Sequence, residues 1–360
     1  MQRVAIIMAG GSGERFWPVS RQHHPKQLLC LSSPTKTMLH EAVERLTPLI
    51  TPEHIYVQTM GHLVEPIRAA NVGVPAENVI AEPSKRNTAG CLIYAAAHML
   101  AKYQCAPEAL CMAIVTADHI IGDVNAFRTV IDTALSAAEG SNALVTIGVP
   151  PTHPSTGFGY IQASPSTQGS ALTFQAFHEK PQLARARAFV ASGDHYWNSG
   201  MFFWRISSFL GELETAQPHM AHVLRDLVVA LRENASEARS IFETLDSISI
   251  DYALMEKAKH VVMIPSTFPW DDLGSWDALE RSREADAAGN VAHGDPVLVD
   301  TRNSIVYNAE GPEAMAVSVV GMENVVVVVT RDAVLVVPKD RAEEVRKAVQ
   351  MLQARGAAHL

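Results

Sequence analysis

Cysteine is scarce and unpatterned in this sequence. The four thiols, Cys30, Cys91, Cys105 and Cys111, show no C-x-x-C spacing, and three of them lie in apolar surroundings typical of buried thiols. A reducing cytoplasm is the economical setting for such a chain. Long hydrophobic runs are missing too. Val4 to Ala9 is too short for a signal peptide and is stopped by Gly10-Gly11, while Gly90 to Ala101 contains His98 and reads as a buried helix. No membrane segment is expected. Positive charge is the minority sign, with 29 Lys and Arg against 38 Asp and Glu and a formal net charge of −9. A polyanion would be repelled, so nucleic acid is not expected as a partner.

What is present is ample apolar material. Of 360 residues, 48% are hydrophobic and 19% charged, enough for one large domain and a smaller one. Short β-branched runs at Val4 to Met8, Ile55 to Gln58, Leu110 to Thr116 and Leu144 to Val149 read as buried parallel strands. Helical patterns lie between them, at Thr37 to Leu46, Thr88 to Tyr103 and Asn125 to Glu139. That alternation predicts an α/β fold with a doubly wound, mostly parallel, Rossmann-like sheet.

After Pro150 the texture changes. Phe158 to Ala163 and Leu172 to Phe177 predict an inserted hairpin, and helices are expected over Leu183 to Ser192 and from Ile206 to about Glu243. Beyond Ala285 short β-rich pieces dominate, closed by a helix from Asp340 to Ala354. The expected division is therefore a domain over residues 1–284 and a small β domain over 285–360. The uncharged run Val325 to Val329 must be a central strand or an oligomer contact, since it would otherwise aggregate.

The first strand runs into Gly10-Gly11-Ser12-Gly13-Glu14-Arg15-Phe16-Trp17-Pro18. Small residues at a strand end let backbone N–H groups approach a phosphate. The loop lacks both the third Rossmann glycine and the Walker A lysine. Its charge is informative: residues 1 to 40 hold Arg3, Arg15, Arg21, Lys26 and Lys36 against the single acid Glu14, in a chain that is acidic overall. A local anion site follows, with a solvated turn carrying surface basics as the plain alternative.

This loop, followed by Ser20-Arg21 and Pro25-Lys26-Gln27, resembles the signature of the mannose-1-phosphate guanylyltransferases. Further segments from residue 10 to residue 276 fall in that family's order. They include Glu82-Pro83-Ser84-Lys85-Arg86-Asn87-Thr88-Ala89, Ala117-Asp118-His119, Thr156-Gly157-Phe158-Gly159-Tyr160, Phe177-His178-Glu179-Lys180-Pro181 and Trp197-Asn198-Ser199-Gly200. Ser249 to Glu256 and Trp270-Asp271-Asp272-Leu273-Gly274-Ser275-Trp276 complete the set. Gly90 stands where the family commonly has proline, Thr116 replaces another proline, and Phe158 replaces a tyrosine.

The resemblance implies a nucleotidyltransferase that joins GTP to mannose 1-phosphate with Mg²⁺. It implies that Gly10, Gly11, Gly13, Arg15 and Lys26 hold the triphosphate, and that Asn87 and Thr88 line the base pocket. Gly159, Glu179, Asn198 and Asp272 would meet the sugar and Lys180 its phosphate, with Asp118 and Asp272 as metal ligands and Arg15, Lys26, Lys180 and Asp272 catalytic. It further implies a single-function member without a fused isomerase domain, a left-handed β-helix-like tail and a homodimer. From the residues alone, Asn87 or Thr88 could simply cap a helix, Asp118 could form a turn and Asp271-Asp272 could cap the helix near Trp276. Asp251 and Glu256 could brace a helix, and His119 and His178 are expected to be structural. The rivals are another sugar-1-phosphate nucleotidyltransferase, using glucose 1-phosphate with dTTP or UTP, and a non-catalytic GDP-mannose-binding regulator.

Overall fold

The computed structural model describes residues 1–165 and 171–360. The chain forms two compact units. One comprises Met1–Gly10, Ala42–Thr116 and Ile121–Pro269; the other comprises Gly11–Glu41, Ala117–Ile120 and Trp270–Leu360. The glycine loop is grouped with the C-terminal segment in the second unit.

The strands up to Pro269 are β1 (Gln2–Met8), β2 (Ile55–Met60), β3 (Val79–Glu82), β4 (Leu110–Thr116), the short β5 (Ile120–Ile121), β6 (Leu144–Val149), β7 (Tyr160–Pro165), β8 (Leu172–His178), β9 (His195–Arg205) and β10 (Val261–Pro265). All except β5 join one sheet in the order β3-β2-β1-β4-β9-β6-β10-β8-β7. The four strands from β3 to β4 are parallel, with Ile6 opposite Tyr56 on one side and Ile114 on the other. Their side chains are buried on both faces, which is why the sequence reads as unbroken apolar runs and not as alternation.

The second half of the sheet is mixed. β9 enters antiparallel between β4 and β6, and β7 and β8 form the expected hairpin. The α/β class stands, while the parallel character is confined to the β3–β4 half and the β6–β10 pair.

The helices are α1 (Met38–Leu46), α2 (Val64–Ala69), α3 (Asn87–Tyr103), α4 (Val124–Gly140), α5 (Leu183–Ser192), α6 (Ile206–Ala216), α7 (Pro218–Glu233) and α8 (Ala235–Glu243). α3 is apolar around most of its circumference because it is a core helix. Its Leu92, Ile93, Ala96 and Met99 pack with Ile6, Ile114, Phe209, Leu224 and Phe242 in one buried cluster. Each large side chain so buried contributes about 1.5–3 kcal/mol. The single helix expected from Ile206 to Glu243 is three helices, broken where Pro218 begins α7 and where Asn234 ends it in a non-helical conformation.

The second unit contains β11 (Trp270–Asp271), α9 (Leu279–Ser282), β12 (Val291–His293), β13 (Val297–Val299), β14 (Ile305–Asn308), β15 (Ser318–Val320), β16 (Val325–Val329), β17 (Val334–Pro338) and α10 (Val345–Ala354). Short parallel pairings β12–β14, β14–β16 and β13–β15 stack as the rungs of a β-helix-like coil. The valine run is β16, an interior strand between β14 and β17. Its core joins Phe16, Trp17, Leu29 and Leu31 from the start of the chain to Leu273, Trp276, Val326, Val328 and Val345 from its end. No helix among the described residues is long and apolar enough to cross a membrane.

Candidate active site

In the second unit the expected phosphate and metal residues converge on one lysine. Lys26 is buried, and its Nζ lies 2.8 Å from Asp118 Oδ2 and 2.8 Å from the main-chain oxygen of Asp272. The glycine loop explains how it gets there. Gly13 has φ +64°, and a Cβ on it would stand 2.6 Å from the Cβ of Lys26, so only glycine lets the two segments close. The Gly13 carbonyl also accepts from Ser20 Oγ at 2.7 Å and from the Phe16 amide at 2.8 Å. Gly10 and Gly11, in contrast, are exposed with open space where a side chain would go. Arg15 donates through Nη1 to the Gly274 carbonyl at 3.2 Å, and its buried Nε has no hydrogen-bond partner among the described residues.

The two aspartates differ electrically. Burial alone would raise the Asp118 carboxyl, but the Lys26 ammonium and His119 hold it below the ordinary carboxylate range. Burial pushes Asp272 up to about 6 against the pull of Lys26, with the charges of Asp271 and Asp118 adding to the push. Asp271 is spent locally, accepting from the Leu273 amide at 2.7 Å and pairing with Arg281. It is thus a turn former and does not cap the segment at Trp276, whose N-cap Ser275 bonds to Asp277.

Among the described residues no group of three or more His, Cys, Asp or Glu forms a ready metal cage. The two hard carboxylates of Asp118 and Asp272 nevertheless suit a divalent cation that keeps its waters and takes further oxygens from phosphates. His119 accepts from the Trp270 indole at 3.1 Å, a structural role.

The first unit holds the other expected residues. Asn87 starts α3 with φ +58° and bonds its own neighbour, the Thr88 amide. The Thr88 hydroxyl accepts from the Ile250 amide at 2.8 Å, so neither residue caps α3 through its side chain. A Cβ on Gly159 would lie 2.6 Å from the Phe177 ring and 2.9 Å from Glu179 Oε2, so the missing side chain is what seats that carboxylate. The Gly159 carbonyl accepts from the Asn198 amide at 2.8 Å, and Glu179 pairs with the exposed Lys180 at 3.2 Å. Asn198 Nδ2 in turn donates to Asp251 Oδ1 at 2.9 Å. Gly159, Glu179, Lys180, Asn198 and Asp251 therefore form one continuous polar cluster. His178 stacks on Phe189 at 4.9 Å, again structural.

Sequence reasoning left Asp251 as a helix brace; its place beside Asn198 could not be read from spacing. Burial and the Glu179 charge raise its carboxyl to about 6.

Residues 4–289 match the nucleotidyl transferase family, and residues 294–352 match the MannoseP isomerase/GMP-like beta-helix domain. The chain is 38% identical to xanthan biosynthesis protein XanB of Xanthomonas campestris pv. campestris (strain B100), over 98% of this chain and 73% of that one. It is 37% identical to the mannose-1-phosphate guanylyltransferase of Escherichia coli (strain K12), with the same coverage of each. A solved structure described as mannose-1-phosphate geranyltransferase from Thermus thermophilus superposes with a TM-score of 0.87 at 34% identity, covering 98% of this chain and all of that one. Fold, motif order and overall similarity agree: this chain belongs to the mannose-1-phosphate guanylyltransferase family of nucleotidyl transferases.

Proposed function

We propose that the protein transfers GMP from GTP to mannose 1-phosphate, forming GDP-mannose and pyrophosphate, with residues 1–284 as the catalytic domain and 285–360 as the supporting β domain. An oxygen of the sugar phosphate attacks the α-phosphorus in line; a new P–O bond forms as the bond to the β-phosphate bridging oxygen breaks. The sugar phosphate is already largely dianionic near neutrality, its second pKa being about 6, so no protein base is needed. The barrier is repulsion between two polyanions, and the chain's task is to position and screen them.

The observation that carries this reading is the Lys26 ammonium shared between the Asp118 carboxylate and the Asp272 main chain. Lys26 and Arg15 would neutralise the triphosphate above the open backbone of Gly10 and Gly11. Asn87 and Thr88 would meet the base. Gly159, Glu179, Asn198 and Asp272 would meet the sugar and Lys180 its phosphate. Asp118 and Asp272 would hold Mg²⁺, which when bound supplies Lewis-acid polarisation of the phosphate oxygens.

We also infer a cytoplasmic homodimer. The exposed Val297, Val299 and Val320, at 56%, 45% and 63%, support self-association through the β-helix-like unit. The test is incubation with each pairing of GTP, ATP, UTP or dTTP with mannose or glucose 1-phosphate, following pyrophosphate release. Preference for a pairing other than GTP with mannose 1-phosphate would refute the assignment.

A further inference from the structure

Asn198 reads a hydroxyl only if its amide is presented the right way round, since its oxygen and nitrogen are alike in shape and opposite in hydrogen bonding. Both ends of that amide are committed in the structure. Its Oδ1 accepts from the Gly200 amide at 3.2 Å, and its Nδ2 donates to Asp251 Oδ1 at 2.9 Å. A carboxylate oxygen can only accept, so Asp251 fixes the identity of the facing atom as nitrogen.

Asp251 is itself anchored from a distant part of the chain. It opens a single π-helical turn, Asp251–Met255, with the Glu256 amide returning to its carbonyl at 3.0 Å. Just before it, the Ile250 amide donates to Thr88 Oγ1 at 2.8 Å, and the Ala89 amide donates to the Ile248 carbonyl at 3.2 Å. The first turn of α3 therefore holds segment 248–251, and that segment aims Asn198. A π-helical turn of this kind commonly marks a functional position.

We propose that Asp251 is a positioning residue for the sugar-phosphate substrate, acting through Asn198 and anchored by Thr88. The inference rests on the guanylyltransferase reading and deepens it by adding a residue that acts through Asn198 on how the sugar phosphate is read. The sugar phosphate should feel its loss, and GTP should not.

Wild type is assayed first with GTP and mannose 1-phosphate; absence of turnover there would refute the underlying reading and, with it, the role proposed for Asp251. Given turnover, Asp251→Leu should raise KM for mannose 1-phosphate by about tenfold or more while KM for GTP stays within about twofold. Asp251→Asn, whose amide oxygen can still accept from Asn198, should restore KM to within about threefold of wild type. Asn198→Ala introduced into Asp251→Leu should add little, because both changes disable the same contact. Unchanged KM in Asp251→Leu, an equal rise for both substrates, equal damage in Asp251→Asn, or full additivity with Asn198→Ala would each overturn the proposal. Should Asp251→Leu fail to fold, Asp251→Ala takes its place in the same comparisons.

Discussion

The Lys26 ammonium sits 2.8 Å from the Asp118 carboxylate and 2.8 Å from the carbonyl of Asp272, tying the glycine-loop segment to both predicted metal ligands. Replacing Lys26 with Met keeps the side chain's bulk and removes its charge. Turnover should fall by on the order of 100-fold or more, the usual cost of losing a buried electrostatic partner of the transition state. Activity within a few-fold of wild type, measured by pyrophosphate release, would count against the assignment.

Gly13→Ala meets two obstacles together, a left-handed backbone and a Cβ placed 2.6 Å from that of Lys26. The strained conformation alone should cost about 1–3 kcal/mol, and displacement of Lys26 should lower activity as well. Gly11→Ala, where nothing crowds the added carbon, should be far milder in urea unfolding. Equal effects at the two positions would contradict the close approach seen here.

Asp272→Asn should abolish most turnover and leave the fold intact. It should also remove a Mg²⁺-dependent rise in Tm, since a cation bound only by the folded state stabilises it by mass action. Persistence of the same Tm rise in the variant would place the ion elsewhere.

Asp251 supplies a pH signature. Its folded-state carboxyl is raised to about 6 from an ordinary 3.8, by burial first and then by Glu179. A raised pKa means the folded state prefers the protonated form. The stabilising contribution is complete below the ordinary carboxylate range and is lost as pH rises through about 6. Asp251→Asn cannot ionise, so its Tm relative to wild type should climb between about pH 4 and pH 7 and then level off. A flat or falling difference would show that the carboxyl titrates normally.

Legibility followed local patterning. The strands ending at Met8, Thr116 and Val149 were readable because buried parallel strands carry unbroken β-branched runs. β9 carries no clean strand pattern, for its sequence mixes His195, Asn198 and Ser199 with aromatics, and its antiparallel place between β4 and β6 is set by long-range pairing that no local pattern records. Lys26, Asp118 and Asp272 could be nominated by motif, yet their convergence on one ammonium is a fact of three-dimensional closure. Gly13 shows the same limit. In the sequence it looks like Gly10 and Gly11, and only the fold reveals that one glycine is required by crowding while the others leave room.

The pairing of Phe16, Trp17 and Leu31 with Trp276, Val326 and Val345 in one core bears on biosynthesis. The ribosome makes the loop long before Trp276, Val326 and Val345, so the nascent loop lacks this packing until those residues emerge. A chain halted before Val291 should leave the stretch from Gly11 to Glu41 open to proteases that the finished protein resists.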